Sequence, residues 1–157
     1  MKSKIKPYVV SILIALAVGG LSAFLTRNSM DIYGELITPP LSPPSFLFPI
    51  VWSVLYILMG VSAAMIYTDK ASLFKERSSA IATYASSLIV NFAWSIIFFN
   101  FRAFLLAFIW LLFLLFLIIK TIVAYKKINP TAAYLQIPYA IWVAFAGYLN
   151  FGIWLLN

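Results

Sequence analysis

The chain has 157 residues, of which 64% are hydrophobic and only 10% are charged, and its formal net charge is +7. A soluble domain carries about 25% charged residues, so this composition excludes a soluble fold and makes lipid the solvent for most of the chain. The sequence has no cysteine and no histidine, which excludes disulfides, thiol nucleophiles, imidazole bases and the usual zinc and haem ligands, and no metal site is predicted.

Five apolar runs follow one another, each long enough to cross a hydrocarbon core that takes about 20 helical residues. The first follows three lysines, as in a secretory signal, but it stays apolar through residues 19–25, beyond the length of a signal's apolar region, which favours a retained helix. We predict an all-α integral membrane protein, a bundle of five transmembrane helices forming a single domain over 1–157. The predicted helices are 8–26, 45–67, 79–100, 103–124 and 133–155, with a long loop at 27–44.

The long loop ends in T-P-P-L-S-P-P-S-F, which has four prolines: Pro39, Pro40, Pro43 and Pro44. Ser42 is expected to cap the second helix with Pro43 at its first position, and Ser45 is the alternative cap. Prolines also stiffen a loop, so this segment is expected to form a fixed roof over a cavity. Pro49 is expected to bend the helix beside that cavity.

The basic residues are concentrated on one side of this topology. Nine of the eleven lysines and arginines fall in the amino-terminal segment and in the connections at 68–78 and 120–130, whereas only Arg27 and Arg102 fall on the opposite side. Since cytoplasmic segments carry the basic excess, we expect the amino terminus in the cytoplasm, and the carboxyl terminus and the 27–44 loop outside. Short basic segments of this kind favour the lipid bilayer as partner over nucleic acid. No organelle transit signal is apparent, so a bacterial plasma membrane is expected.

Three predicted helices carry polar and aromatic residues at spacings that place them on one face. These residues are Pro49, Trp52, Tyr56 and Met59 on the second helix; Ser87, Asn91, Trp94, Ser95 and Phe98 on the third; and Pro138, Trp142, Phe145, Ala146 and Leu149 on the fifth. The fourth helix has no polar face and is expected to be a lipid-facing buttress. The carboxylates all lie in or beside loops, which argues against ion-coupled transport and against paired-carboxylate hydrolysis.

The tryptophans differ in their expected environments. Trp154, near a helix end, suits an interfacial belt, and Trp110 is expected to face lipid or to fill a packed position. Trp52 and Trp142 lie well inside their helices on faces shared with proline or polar residues, which favours a cavity-lining role. Asn91 is equally consistent with a hydrogen bond to a neighbouring helix and with a ligand contact.

Small residues on two helices allow close approach of backbones. They are Gly19 and Ala23 on the first helix, and Ser78, Ala82 and Ser86 on the third. Packing inside one monomer and a homodimer interface are both consistent with them.

Three segments together resemble a known family. They are P-P-L-S-P-P-S-F-L-F-P-I-V-W-S-V-L-Y-I-L-M-G at 39–60, N-F-A-W-S-I-I-F-F at 91–99 and I-P-Y-A-I-W-V-A-F-A-G-Y-L-N-F-G-I-W at 137–154. In this order they look like the TspO/MBR family, the translocator or tryptophan-rich sensory proteins. The resemblance implies a five-helix bundle with a cavity open toward the first loop, which binds hydrophobic and often planar ligands such as porphyrins.

The resemblance also implies which residues contact the ligand. Trp52 and Trp142 would face it as a pair, and the wall would be completed by Tyr33, Asn91, Trp94, Ser95 and Ala146. The helical face adds Phe145 and Leu149, and the proline-rich roof adds Pro43. No cofactor is required, and a protoporphyrin IX-like porphyrin is the expected ligand. The sterol-binding pattern is matched only by chance at 123–127, so specific cholesterol binding is not predicted.

The sequence therefore predicts a membrane receptor or sensor for a porphyrin-like ligand under the 27–44 loop. One alternative is an enzyme that degrades porphyrin with light and oxygen, with Trp52 and Trp142 as its catalytic residues. Another is a carrier of a hydrophobic metabolite, although the sequence has no coupling residue and no inverted repeat. These alternatives share one cavity and differ in the fate of the bound ligand.

Overall fold

The computed structural model describes residues 2–29 and 31–157, and every regular element within them is helical. The helices are α1 (Lys2–Thr26), α2 (Ile32–Glu35), α3 (Leu47–Tyr67), α4 (Phe74–Ser95), α5 (Phe104–Lys126) and α6 (Pro130–Leu156). A π-helical turn, Ile96–Asn100, continues α4. Five of these helices are long and apolar enough to cross a membrane, which confirms the predicted all-α fold class. The short α2 lies in the loop and was not predicted.

The helix ends differ from the prediction where a helix continues beyond its apolar run. α1 and α4 begin several residues early, because charged residues in solvated first turns still form backbone hydrogen bonds. α6 begins at Pro130, where the Asn129 side chain caps the helix by accepting a hydrogen bond from the Thr131 backbone N–H at 3.1 Å. Apolarity marks the part of a helix that lies in lipid, whereas the helix itself continues into the solvated segments.

The predicted capping of the second long helix was wrong. α3 begins at Leu47 with Phe46 as N-cap and no side-chain capping bond. The Ser42 hydroxyl instead donates to the Pro39 carbonyl at 2.6 Å, which folds the loop on itself. Pro49 occupies the third position of α3, where a backbone N–H has no intrahelical partner, so the bend expected there is not required.

Two glycines let α1 pack closely against α3. A methyl group at Gly60 would come within 2.5 Å of the Ile12 Cα, and one at Gly19 would collide with the Tyr56 ring. Gly19 therefore serves packing within the monomer. The small residues of α4 that were expected to permit close approach, Ser78, Ala82 and Ser86, are exposed. A homodimer through that face stays a prediction.

The remaining helices complete one bundle. α5 packs along α6 and α4, and α3 also contacts α6. We call the end of the bundle that holds residues 27–46 the loop side, and the end that holds the connections at 68–73 and 127–129 the turn side. The candidate site lies between the loop side and the middle of the bundle.

Candidate functional site

Two aromatic pairs join α3 to α6 in the interior. Phe48 meets Trp142 edge-on with ring centroids 5.9 Å apart, and one turn deeper Trp52 meets Tyr139 with centroids 6.2 Å apart. Phe48 and Trp52 are four residues apart on α3, and Tyr139 and Trp142 are three residues apart on α6. Each helix therefore presents its two rings on one face. Trp52 also lies 5.6 Å from the Tyr56 ring. The site wall is thus a two-layer set of flat rings.

Asn91 ties α4 to this wall. Its side-chain nitrogen donates to the Tyr139 hydroxyl at 2.9 Å, and the residue is 2% exposed. The interhelical hydrogen bond considered for Asn91 is therefore present, and a ligand contact stays a prediction. Since Tyr139 also contacts Trp52, the amide fixes the position of a ring in the wall.

Trp142 differs from two other tryptophans in the partner of its indole N–H. Trp94 donates to the Asn150 side-chain oxygen at 3.1 Å, and Trp110 donates to the Val90 carbonyl at 2.7 Å. The Trp142 Nε1 is buried, but no acceptor lies within hydrogen-bond distance of it in the described part of the chain. A buried donor without an acceptor is destabilising by about 1–3 kcal/mol, so this atom is a candidate ligand contact.

The loop supplies an aromatic cover. The Tyr33 ring packs edge-on against Phe48 with centroids 5.1 Å apart, and its hydroxyl donates to the Pro43 carbonyl at 3.0 Å. Burial raises the pKa of the Tyr33 phenol, so the hydroxyl remains protonated and donates at neutral pH. The loop therefore touches the aromatic wall directly through Tyr33.

Three contacts fasten the loop to the loop-side half of α6. The Tyr148 hydroxyl donates to the Pro40 carbonyl at 2.6 Å. The Asn157 side chain pairs with the backbone of Ile37, donating at 2.8 Å and accepting at 3.1 Å. Pro39 lies so close to Gly152 that a methyl group there would come within 2.5 Å of the Pro39 Cγ. The loop is held by α6 rather than by the prolines alone.

The structure brings together only part of the predicted site. Direct contacts link Tyr33 to Pro43, and Trp142 to Phe145, whose ring centroids are 5.6 Å apart. Asn91 reaches the wall through Tyr139, which was not among the predicted site residues. Trp94 packs against both the main core and a smaller cluster, where its ring lies 5.3 Å from Phe98. The other predicted wall residues are half-buried or buried in the bundle: Ser95, Ala146 and Leu149.

Sequence reasoning missed three residues of this region: Phe48, Tyr139 and Tyr148. Phe48 lies four residues before Trp52, and Tyr139 lies three residues before Trp142, so helical spacing from the two tryptophans was a usable signal. No comparable signal marked Tyr148, because a tyrosine near a helix end is ordinary at a membrane interface.

The fourth predicted helix needs a correction. α5 buries Thr121 and Tyr125 at its turn-side end, so it has polar residues on its inward face. Trp110 on this helix is half-buried and hydrogen-bonded to α4, which is a packed position rather than a lipid-facing one. The interfacial location of Trp154 stays a prediction.

Similarity to known proteins extends over almost the whole chain. The sequence matches the TspO/MBR family over residues 11–155. It is 33% identical over 158 residues to the tryptophan-rich protein TspO of Chlorobaculum tepidum, covering 100% of this chain and 99% of that one. It is 37% identical over 150 residues to the tryptophan-rich protein TspO of Archaeoglobus fulgidus, covering 95% of each. It is 35% identical over 137 residues to the translocator protein of Bos taurus, covering 87% of this chain and 81% of that one. The chain therefore belongs to the TspO/MBR family and is an integral membrane protein.

Proposed function

We propose that this protein is a membrane receptor or sensor that binds a hydrophobic, planar, porphyrin-like ligand inside the bundle, beneath the 27–44 loop. The observation that carries the proposal is the buried Trp142 Nε1, which has no acceptor among the described residues and lies within an aromatic cluster. A tetrapyrrole brings both a flat apolar ring and acceptor atoms, so it matches this wall in shape and in hydrogen bonding.

The composition of the wall supports an apolar guest. Phe48, Trp52, Tyr139 and Trp142 present ring surfaces, and none of them carries a charge. Their edge-on pairs leave ring faces that a flat ligand can use when the rings adjust. No acid–base group of the site is needed for binding, which agrees with the lack of a carboxylate among these residues.

The roof supports retention of the ligand. Tyr33 covers Phe48 from the loop, and the loop is fastened to α6 through Tyr148 and Asn157. Tyr33 covers the wall on the loop side, so movement of the loop is expected to govern the dissociation rate.

The test is a titration of the purified protein with protoporphyrin IX, followed by the shift of the porphyrin absorption band. We expect Trp142→Ala to raise Kd about 30-fold, because it removes the ring contact and the indole donor together. Trp154→Ala is the matched control, since Trp154 is an exposed indole at the end of the same helix. An unchanged Kd for Trp142→Ala would contradict the proposed site.

A second candidate function is light- and oxygen-dependent breakdown of the bound porphyrin. It is favoured by the contacts of Trp52 with Tyr56 and Tyr139, which group redox-active side chains at the site. The complex is illuminated in air and the loss of porphyrin absorbance is compared with that in denatured protein. Equal rates of bleaching would remove this candidate and leave the receptor proposal intact.

We further propose that the loop side faces away from the cytoplasm, in the plasma membrane of a bacterium, as the distribution of basic residues indicates. The chain contains no cysteine, so single cysteines can report the topology. An impermeant maleimide added to intact cells should label Asp31→Cys and not Lys70→Cys. The reverse labelling would invert the orientation.

A further inference from the structure

One buried polar atom on the turn side without a hydrogen-bond partner within the described ranges is the Arg77 Nε, whose side chain already donates from Nη1 to the Tyr67 carbonyl. The other three are the Tyr84 hydroxyl, the Tyr125 hydroxyl and the side-chain oxygen of Gln136. The residues are 6%, 0% and 0% exposed, respectively, so bulk solvent does not reach them. None of them belongs to the aromatic wall. Each such orphan is destabilising by about as much as a lost hydrogen bond unless something binds it.

The Tyr84 and Tyr125 side chains meet between two helices, and Gln136 lies on the same side of the bundle. The Tyr84 and Tyr125 ring centroids are 6.5 Å apart, which brings α4 and α5 together. Tyr125 lies in the last turn of α5, and Gln136 lies in the second turn of α6, on the other side of the short connection between them. Tyr84 leans toward the same end, because helical side chains tilt toward the start of their helix. We call these three residues and Ser62 the polar layer.

The rest of the layer already has partners. The Gln136 side-chain nitrogen donates to the Ser62 hydroxyl at 3.3 Å, and that hydroxyl donates to the Ala132 carbonyl at 2.8 Å. Ser62 therefore cannot also donate to the Gln136 oxygen. The groups of the layer that still lack partners are two hydroxyls, which can donate or accept, and one amide oxygen, which can only accept.

We propose that the polar layer is a binding site for ordered water, in which at least one water molecule bridges Tyr84, Tyr125 and Gln136. A water molecule donates twice and accepts twice, so it can donate to the Gln136 oxygen and accept from a tyrosine hydroxyl. Buried waters typically make about three hydrogen bonds to groups that would otherwise lack partners. The bridge joins α4, α5 and α6, and through Ser62 it extends to α3. This proposal does not depend on the proposed porphyrin site.

The first test compares thermal unfolding of Tyr84→Phe and Tyr125→Phe with that of the wild type in one detergent. Phenylalanine keeps the ring, so packing is conserved and only the hydroxyl is lost. If water bridges the hydroxyls, each variant should lower Tm by about 2–4 °C. If the hydroxyls are dry, removing them should leave Tm unchanged or raise it, which would overturn the proposal. Tyr134→Phe, at an exposed tyrosine of α6, is the control and should leave Tm unchanged.

The second test asks whether the partners share the same water. The double variant Tyr84→Phe with Tyr125→Phe should lose less Tm than the two single variants added together, because the second change acts on a bridge already broken. A cycle of Tyr125→Phe with Gln136→Met should show the same non-additivity. Additive losses would overturn the shared site. An experimental structure should show solvent density within hydrogen-bond distance of both hydroxyls, and its absence at high resolution would also overturn the proposal.

Discussion

The loop side and the turn side of this bundle bury polar atoms in different ways. On the loop side the wall is made of flat rings, and its one orphaned atom among the described residues is an indole N–H, that of Trp142. On the turn side the orphaned atoms belong to Arg77, Tyr84, Tyr125 and Gln136. The Gln136 side chain also bonds to Ser62. A wall of rings with one donor suits a large flat guest, whereas a layer of hydroxyls and an amide suits water. The two proposed guests therefore differ in size, and neither proposed site uses a charged residue.

The largest expected effect is a difference in ligand affinity between a variant on the loop side and a variant on the turn side. Trp52→Ala should raise the Kd for protoporphyrin IX about 30-fold, because a ring that packs against Tyr139 and Tyr56 is lost. Tyr125→Phe should leave that Kd within about twofold of the wild-type value, since it changes only the polar layer. Both values come from absorbance titrations in the same detergent. Equal losses in the two variants would show that the sides are coupled.

A smaller effect is expected from the glycine under the loop. Gly152→Ala forces Pro39 away from α6, because the new methyl group would lie 2.5 Å from the Pro39 Cγ. We expect the dissociation rate of protoporphyrin IX to rise about tenfold, measured by transfer to an acceptor protein in excess. Gly147→Ala is the matched control on the same helix, because nothing lies within 4 Å of a methyl group there. Equal rates in the two variants would mean that the loop does not hold the ligand.

The hydrogen bond between α6 and the loop should have a more modest effect. Tyr148→Phe removes the bond to the Pro40 carbonyl and keeps the ring that packs against Phe145. A bond of about 1 kcal/mol corresponds to roughly a fivefold faster dissociation of protoporphyrin IX. Tyr134→Phe, whose ring is exposed on the same helix, should not change the rate. A rate that stays at the wild-type value in Tyr148→Phe would assign the fastening of the loop to Asn157 and Pro39.

The sequence was sufficient for the helices and for part of the aromatic wall. Apolar runs must become helices in lipid, since every backbone group there needs an internal partner, and this predicted α3 to within a few residues. Trp52 and Trp142 could be placed because helical spacing puts each on a face with other polar or aromatic residues. Both arguments use only positions within one helix.

What could not be predicted depends on which atoms meet across helices. Trp94 and Trp142 both lie on faces assigned to the cavity, yet Trp94 has Asn150 as acceptor and Trp142 has none among the described residues. The spacing of Asn150 along α6 does not reveal that partner. Ser42 was expected to cap a helix because serine favours that position, but the loop fold gives it the Pro39 carbonyl instead. Local preference was overruled by contacts that only the folded chain creates.

The smallest expected effect concerns the stiffness of the loop itself. Pro44 is exposed, and Pro43 contributes its backbone carbonyl to Tyr33, which alanine retains. The double variant Pro43→Ala with Pro44→Ala should therefore act mainly by freeing the backbone, and we expect protoporphyrin IX to dissociate about twofold faster with little change in Tm. Ser45→Ala, at an exposed neighbour, is the control. An unchanged dissociation rate would mean that the two prolines only separate the loop from α3 and do not help to retain the ligand. A rate faster than that of Tyr148→Phe would make rigidity, rather than docking on α6, the main restraint on the loop.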